Sequence, residues 1–162
     1  MTIKVGDKLP ETTFTVMGDE GPKQVSTADV FGGKKVALFA VPGAYTPTCH
    51  KQHMPGYVAN SDEFKGKGID TIACTSVNDI FVLTQWSKDS GADGKITMLA
   101  DGSADFAKKI GLEIDLTARG LGVRSKRYSM VVDNGVVSVL NVEDAPPQHD
   151  KSSATALLAC KL

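Results

Sequence analysis

The chain has 162 residues, and we expect residues 1–162 to form a single domain with one well-buried core. Its formal net charge of -1 gives no electrostatic reason to expect nucleic acid or an anionic membrane as a partner. No apolar run approaches the ~18–20 residues of a membrane-spanning helix. The three cysteines, Cys49, Cys74 and Cys160, are too sparse and odd in number for a secreted disulfide framework. Because the start also lacks the apolar region of a signal peptide and is not Arg-rich, we expect a cytoplasmic protein.

The first half of the chain predicts a hairpin, a buried strand and a helix. Two strands, Thr12 to Met17 and Lys23 to Val25, are followed by a short helix that Ser26 caps. The run Val36 to Val41 is apolar without alternation, which is typical of a strand buried on both faces. After it, Thr46 supplies a helix N-cap and Pro47 the first helical position, so Cys49 falls in the first helical turn. Pro55-Gly56 predicts a kink or break, with helix resuming from Tyr57 to Lys65.

The second half alternates strands and helices and ends in a hairpin and a helix. The predicted elements are a strand at Ile69–Thr75, a helix at Ile80–Ser90, a strand at Ile96–Ala100, a helix at Ser103–Ile110, a long loop at Leu112–Val123, two β-runs at Arg127–Val132 and Val136–Val142, and a last helix to Leu162. Asp133-Asn134-Gly135 between the two β-runs is a strong hairpin signal. The alternation predicts an α/β fold with a central mixed sheet flanked by helices.

Cys49 is the sharpest candidate for chemistry. The free N–H groups and the positive dipole at a helix start favour an anion, and therefore the ionised, reactive form of a thiol. A buried structural cysteine is the alternative, although a helix start after a Pro-Gly turn more often presents function.

Three other side chains near Cys49 in the sequence or in the motif have alternative interpretations. Cys49 and His53 are four residues apart and could share a metal, but a zinc site needs three or four ligands and no other cysteine is near in sequence. His50 could stabilise the Cys49 thiolate by its charge, whereas His53 reads as an ordinary polar helix residue. Arg127 is either part of a solvated basic patch or a guanidinium that reaches the thiolate.

The remaining two cysteines are weaker candidates. Cys74 lies in an apolar strand and reads as a buried structural thiol. Cys160 falls away from the apolar stripe of the last helix, so we expect it to be partly exposed. Without a Cys-x-x-Cys pair, local dithiol exchange of the thioredoxin type is excluded.

The string Val41-Pro42-Gly43-Ala44-Tyr45-Thr46-Pro47-Thr48-Cys49, followed by Met54-Pro55-Gly56, resembles the active-site motif of peroxiredoxins, and in particular of the type II, or peroxiredoxin-five, branch. Further segments agree with it, namely Ser76-Val77-Asn78-Asp79, Leu99-Ala100-Asp101-Gly102, Gly120-Leu121-Gly122 and Lys126-Arg127-Tyr128-Ser129-Met130. The likeness extends from the N-terminal arm to about Glu143. It implies a thioredoxin fold with an N-terminal β-hairpin extension.

The resemblance also implies an activity, the reduction of hydrogen peroxide and alkyl hydroperoxides by thiols. Cys49 matches the peroxidatic cysteine, Thr46 the threonine that binds peroxide, Pro42 the proline that shields the thiolate, and Arg127 the arginine that stabilises it. Attack on peroxide would give a Cys49 sulfenic acid, and excess peroxide would give the sulfinic acid. No metal or organic cofactor is needed, and members of this branch commonly form homodimers through the active-site end.

The sequence departs from part of the family, because the loop Glu143 to Lys151 has no resolving cysteine. We therefore expect an external reductant, glutaredoxin with glutathione or thioredoxin. Two other functions remain open: a peroxide sensor that passes oxidation to a partner, and a catalytically silent binding module. The second would predict damage to Pro42, Thr46, Cys49 or Arg127, and all four are present.

Overall fold

A seven-stranded sheet forms the centre of the molecule in a computed structural model that describes residues 1–162. The strands are β1 (Thr13–Gly18), β2 (Gly21–Ser26), β3 (Lys35–Ala40), β4 (Thr71–Ser76), β5 (Thr97–Ala100), β6 (Glu113–Asp115), β7 (Val123–Ser125), β8 (Tyr128–Asp133) and β9 (Val136–Val142). The α-helices are α1 (Thr27–Phe31), α2 (Met54–Ala59), α3 (Ser61–Gly66), α4 (Ile80–Asp89), α5 (Asp105–Lys109) and α6 (Ala154–Leu158). A π-helical turn, Cys49–His53, precedes α2, and a 3₁₀ turn occupies Thr117–Arg119.

The sheet is mixed, with the strand order β2-β1-β5-β4-β3-β8-β9. Strands β3, β4 and β5 are parallel neighbours, while β8 runs antiparallel to β3 and the β1–β2 hairpin extends the other edge. This is the thioredoxin-type arrangement with an N-terminal hairpin that the sequence resemblance implies.

Strand β3 is buried on both faces, as its unbroken apolar run predicts. Its alternate residues enter two separate clusters, because successive side chains of a strand point to opposite faces. Ala37 and Phe39 pack with α2, α3, α4 and α6 on one face of the sheet. Leu38 and Ala40 pack with α1 and α5 on the other face. No helix is both long enough and apolar enough to span a bilayer.

The helix that carries Cys49 is irregular before Pro55 and not at it. The expected break at Pro55-Gly56 is wrong, since α2 runs through both residues and ends at Ala59. Pro55 has no N–H for the carbonyl four residues earlier. A π-helical turn takes up this mismatch, and the N–H of Met54 bonds the carbonyl of Cys49, five residues back.

Two other local expectations change, and a third is confirmed. The predicted loop Leu112–Val123 contains a small two-stranded sheet of β6 and β7. The last helix ends at Leu158 and not at Leu162. The Asp133-Asn134-Gly135 hairpin is present, and Asn134 and Gly135 both have positive φ, at 48° and 82°, as a tight turn of this kind requires.

The topology brings Cys49 and Arg127 to the same edge of the sheet. Ala40, at the end of β3, pairs with Tyr128, at the start of antiparallel β8. Arg127, the residue before Tyr128, therefore lies beside the start of the loop that connects β3 to Cys49.

Candidate active site

The Cys49 thiol and the Arg127 guanidinium are in direct contact. Nη2 of Arg127 lies 3.0 Å from Sγ of Cys49. Cys49 is completely buried and Arg127 is 3% exposed, so the pair is withdrawn from solvent. A guanidinium keeps its positive charge in proteins, and away from water it stabilises a neighbouring anion more strongly than it would at the surface. The contact therefore favours a Cys49 thiolate.

The other donors of Arg127 fix the direction of its guanidinium. Nε donates to the carbonyl of Pro146 at 3.0 Å, and Nη1 contacts Nδ1 of His53 at 2.9 Å. Each contact uses a different edge of the rigid, planar fork. Arg127 consequently reaches Cys49 in one orientation, which the sequence alone did not establish.

His53 is a neutral hydrogen-bonded link in the site. Its Nε2 lies 2.9 Å from the carbonyl of Ser152, which can only accept, so Nε2 carries the proton. Nδ1 is then free to accept from Arg127. Burial, followed by the charge of Arg127, holds the pKa of His53 well below its usual value. The expectation of an ordinary polar helix residue is wrong, since His53 is completely buried.

The segment from Glu143 to Ser152 packs beside His53 and Arg127, and its two ends are joined by hydrogen bonds. Oε2 of Glu143 accepts from the N–H of Ser152 at 2.7 Å and from its hydroxyl at 2.5 Å. The Ser152 carbonyl also accepts from the hydroxyl of Tyr57 at 2.9 Å. Neither Glu143 nor Ser152 was a sequence candidate, because no local motif marks a carboxylate that acts nine residues away.

Thr46 and Pro42 lie in the loop before Cys49. Thr46 donates its hydroxyl to the carbonyl of Gly43 at 2.6 Å, so the expected N-cap bond to the helix is absent and the hydroxyl is fixed within the loop instead. Pro42 is buried, and its carbonyl accepts from Nη1 of Arg124 at 3.2 Å. A Cβ on Gly43 would lie 2.9 Å from that Nη1 and 3.1 Å from Cγ2 of Thr46, so glycine allows the close approach.

His50 does not supply the positive charge that its place beside Cys49 allowed. The indole N–H of Trp86 donates to Nδ1 of His50 at 2.9 Å, so that nitrogen must be unprotonated. The hydroxyl of Tyr45, a residue at φ 64°, donates to Asp89 at 2.5 Å. The Tyr45 and His50 rings lie 5.6 Å apart between their centroids. These contacts hold the outer side of the Cys49 turn.

The cysteine and histidine side chains do not form a metal site. No group of three or more His, Cys, Asp or Glu side chains is placed to hold a metal ion. Both ring nitrogens of His53 and one of His50 already contact protein groups. The geometry therefore supports neither a metal bound by Cys49 and His53 nor a positively charged His50 beside Cys49.

All three cysteines are free thiols. Cys74 is completely buried in β4, and burial, with a smaller contribution from Cys49, raises the pKa of its thiol well above the usual value. Cys160 lies beyond the end of α6 and is partly exposed, with its Sγ 3.4 Å from the carbonyl of Ala156. Only Cys49 is paired with a cation, and an ionised thiol in this position is a ready nucleophile.

Comparisons with known proteins agree with this geometry. The redoxin family model matches residues 4–158. The chain is 46% identical over 164 residues to chloroplastic peroxiredoxin-2E of Arabidopsis thaliana, covering 98% of this chain and 69% of that protein. It is 44% identical over 131 residues to mitochondrial peroxiredoxin-2F of the same plant, covering 81% of this chain and 65% of that protein. The crystal structure of reduced Prx3 from Vibrio vulnificus in complex with H₂O₂ is 48% identical, with a TM-score of 0.93 and 98% of both chains covered.

The expectation of a cytoplasmic protein is wrong in the light of these relatives, because the two plant proteins are named for the chloroplast and the mitochondrion. Three sparse cysteines argue against a disulfide-stabilised secreted protein. That argument does not separate the cytosol from an organelle in which thiols stay reduced.

The family match covers nearly the whole chain, and the relatives share both the fold and almost half of the residues. The same comparison confirms the resemblance seen in the motif around Cys49 and the thioredoxin-type architecture. The chain belongs to the redoxin family and, within it, to the peroxiredoxins, the thiol-dependent peroxidases.

Proposed function

We propose that Cys49 is the residue that this peroxidase oxidises, and that Arg127, Thr46 and Pro42 form its catalytic surroundings. The observation that carries the proposal is the contact of 3.0 Å between Nη2 of Arg127 and Sγ of Cys49, two side chains that are both buried. The neighbouring relative from Vibrio vulnificus, which was crystallised with H₂O₂, supports hydrogen peroxide as a substrate. Alkyl hydroperoxides are the second substrate class.

The chemistry follows from an electron pair on sulfur. The Cys49 thiolate attacks the terminal oxygen of a hydroperoxide, the S–O bond forms as the O–O bond breaks, and the hydroxide or alkoxide that leaves takes a proton from water. Sulfur is oxidised by two electrons to the sulfenic acid and the peroxide is reduced. Arg127 stabilises the charge that moves from sulfur to the leaving oxygen, while the Thr46 hydroxyl aligns the peroxide.

An external thiol returns Cys49 to its reduced form. A first thiol displaces water from the sulfenic acid to give a mixed disulfide, and a second thiol releases Cys49. The reductant is glutaredoxin with glutathione or thioredoxin. The buried Cys74, the partly exposed Cys160 beyond α6, and the absence of cysteine from the 143–151 segment support this one-cysteine turnover.

The test is the rate at which hydrogen peroxide oxidises the protein, measured in parallel with Cys49→Ser. Fast oxidation that Cys49→Ser abolishes is expected, and mass spectrometry after one equivalent of peroxide should find a sulfenic acid on Cys49 without an internal disulfide. A bridge from Cys49 to Cys74 or Cys160 would contradict the one-cysteine turnover. Oxidation no faster than that of a free thiol at the same pH would contradict the site itself.

Turnover with each reductant separates an enzyme from a peroxide sensor. Steady peroxide consumption with glutaredoxin and glutathione, or with thioredoxin, is expected. Oxidation that stops after one equivalent with every reductant would instead favour a sensor that hands its oxidation to a partner protein.

We further propose that residues 1–162 are a single domain that pairs with a second copy through the active-site end. Both core clusters pack on the same sheet, which supports one folding unit. Tyr45 and Phe81, two large side chains that are 43% and 65% exposed, supply apolar surface for a dimer contact. Light scattering should give twice the chain mass, and denaturant should produce one transition. A monomer at micromolar concentration would contradict the dimer.

A further inference from the structure

Glu143 has a buried carboxylate without a cationic partner. The residue is 5% exposed, and its carboxylate accepts from the N–H of Lys151, at 3.2 Å, and from the N–H and hydroxyl of Ser152. The ammonium group of Lys151 pairs instead with the exposed Asp144 at 2.8 Å. Burying an ionised carboxylate destabilises a fold unless hydrogen bonds compensate for the lost water. The hydrogen bonds to Lys151 and Ser152 supply that compensation here, and we therefore ask what Glu143 does in the site.

The hydrogen bonds of Glu143 fix the place of the Ser152 carbonyl. The N–H and the hydroxyl of Ser152 both donate to Oε2 of Glu143, which restrains the Ser152 backbone on the N-terminal side of its carbonyl. Its carbonyl then points to Nε2 of His53, 2.9 Å away. That acceptor holds the His53 proton on Nε2 and leaves Nδ1 as the acceptor for Arg127.

The same glutamate is tied to Arg127 through the backbone. The N–H of Glu143 donates to the carbonyl of Arg127 at 3.0 Å. A closed ring of contacts therefore joins Glu143, Ser152, His53 and Arg127, and Arg127 reaches Cys49 from it. A change at the carboxylate can reach the guanidinium by moving members of this ring, or by moving the Pro146 carbonyl of the same segment, which accepts from Nε of Arg127 at 3.0 Å.

We infer that Glu143 is a positioning residue of the peroxidase, acting through Ser152 and His53 to aim Arg127 at Cys49. The inference rests on the proposed roles of Cys49 and Arg127. Glu143 does not touch the sulfur, and its task is to select the His53 tautomer that accepts from Arg127. At metal sites, a residue that hydrogen-bonds a ligand fixes the ligand's orientation, and its loss weakens the inner contact without removing it. We expect the same relation between Glu143 and the contact of Arg127 with Cys49.

The first test compares Glu143→Gln with Asp144→Asn. Glutamine keeps the size of the side chain but replaces one carboxylate oxygen with an NH₂ group and removes the charge, so at least one donor of Lys151 or Ser152 loses its acceptor and the others meet a weaker, neutral one. The readout is the pH midpoint of Cys49 alkylation by iodoacetamide, together with the rate of oxidation by hydrogen peroxide. We expect Glu143→Gln to raise the midpoint and to lower the oxidation rate near neutral pH up to about tenfold. Asp144→Asn, which removes only an exposed ion pair, should leave both unchanged.

The second test asks whether Glu143 acts through His53. In a His53→Gln background the Glu143→Gln change should shift the midpoint no further, because the link between the two residues is already lost. Equal shifts in the presence and absence of His53 would overturn the inference. If Glu143→Gln fails to fold by circular dichroism, Ser152→Ala takes its place, since it removes only the hydroxyl donor and should shift the midpoint in the same direction.

The two ideas fail differently. A wild-type Cys49 that reacts with peroxide no faster than a free thiol would refute the proposed function. A reactive wild type whose midpoint and oxidation rate are untouched in folded Glu143→Gln would refute only the role of Glu143.

Discussion

Arg127 and His53 meet through a hydrogen bond of 2.9 Å that only a neutral imidazole can accept. The bond joins a permanent cation to a ring that ordinarily titrates near pH ~6.5. Protonation of Nδ1 would remove the acceptor and set two positive charges side by side among buried side chains. The site therefore depends on His53 remaining uncharged.

This dependence predicts acid sensitivity of the fold. The pKa of His53 is lowered in the folded protein, mainly by burial, so the unfolded chain binds a proton that the folded chain refuses. The free energy of unfolding is thus at its full value above the unfolded pKa of ~6.5, and falls below it by up to about 1.4 kcal/mol per pH unit. Urea denaturation at several pH values between ~7.5 and ~5.5 measures this slope.

His149 is the control for that slope, because its ring centroid lies 4.9 Å from that of His53 and its pKa is lowered in the same direction, first by burial. His53→Gln should flatten the pH dependence more than His149→Gln does. An unchanged slope in His53→Gln would show that another group is responsible.

Arg127→Lys should nearly abolish peroxide reduction although it keeps the charge. A lysine ammonium cannot contact Cys49, His53 and the Pro146 carbonyl at once, as the planar fork of Arg127 does. Loss of one such preorganised donor typically lowers the rate by about 10²–10³. Rapid mixing with hydrogen peroxide measures the effect. Lys126→Gln, which removes the neighbouring charge, should react normally; a similar loss in both variants would point to the general field and not to the contact.

Gly43→Ala should slow the reaction without unfolding the protein. The new Cβ would lie 2.9 Å from Nη1 of Arg124, a flexible group that can move, and 3.1 Å from Cγ2 of Thr46, which must shift by a few tenths of an ångström. Because the Thr46 hydroxyl aligns the peroxide in the proposed mechanism, we expect an oxidation rate about tenfold lower. Gly66→Ala is the matched control, since it is exposed, meets no atom within 4 Å and should keep full activity. Equal rates in the two variants would exclude a role for the Gly43 loop.

The tyrosines should not ionise at their usual pH. The hydrogen bond to Asp89 raises the pKa of Tyr45 to about 12, and burial raises those of Tyr57 and Tyr128. Ultraviolet titration of the folded protein should therefore show no phenol ionising near pH ~10. In Asp89→Asn one tyrosine should return towards that value, whereas the exposed control Asp93→Asn should resemble the wild type. A tyrosine that titrates near pH ~10 in the wild type would contradict the Tyr45–Asp89 bond.

The sequence predicts what depends on neighbours in the chain. The two-sided burial of β3, the Asn134-Gly135 turn and the place of Cys49 near a helix start all follow from local patterns, and the structure agrees. The π-helical turn was missed, although the missing N–H of Pro55 was a visible reason for an irregular turn on its N-terminal side.

The contacts that complete the site depend on residues far apart in the chain. His53 bonds a carbonyl 99 positions away, and Arg127 reaches a sulfur 78 positions away. The spacing of Cys49 and His53 indicated a shared helical face, which is also compatible with a bound metal ion. Only the fold shows that the Arg127 guanidinium lies between the two side chains and contacts both. Nothing in the sequence marks Glu143 as a site residue, because its contact with Ser152 depends on the path of the loop between them, which the composition of that loop does not determine.

The contact of Trp86 with His50 gives the molecule an optical property. Trp86 is the single tryptophan, it is completely buried, and its indole N–H ends on the residue that follows Cys49 in the chain. A movement of the Cys49 turn relative to α4 would lengthen or break that bond, and the emission of the single indole fluorophore would then change. If Cys49 is the sulfur that peroxide oxidises, as proposed, we expect Trp86 emission to report its oxidation and reduction in real time without a dye.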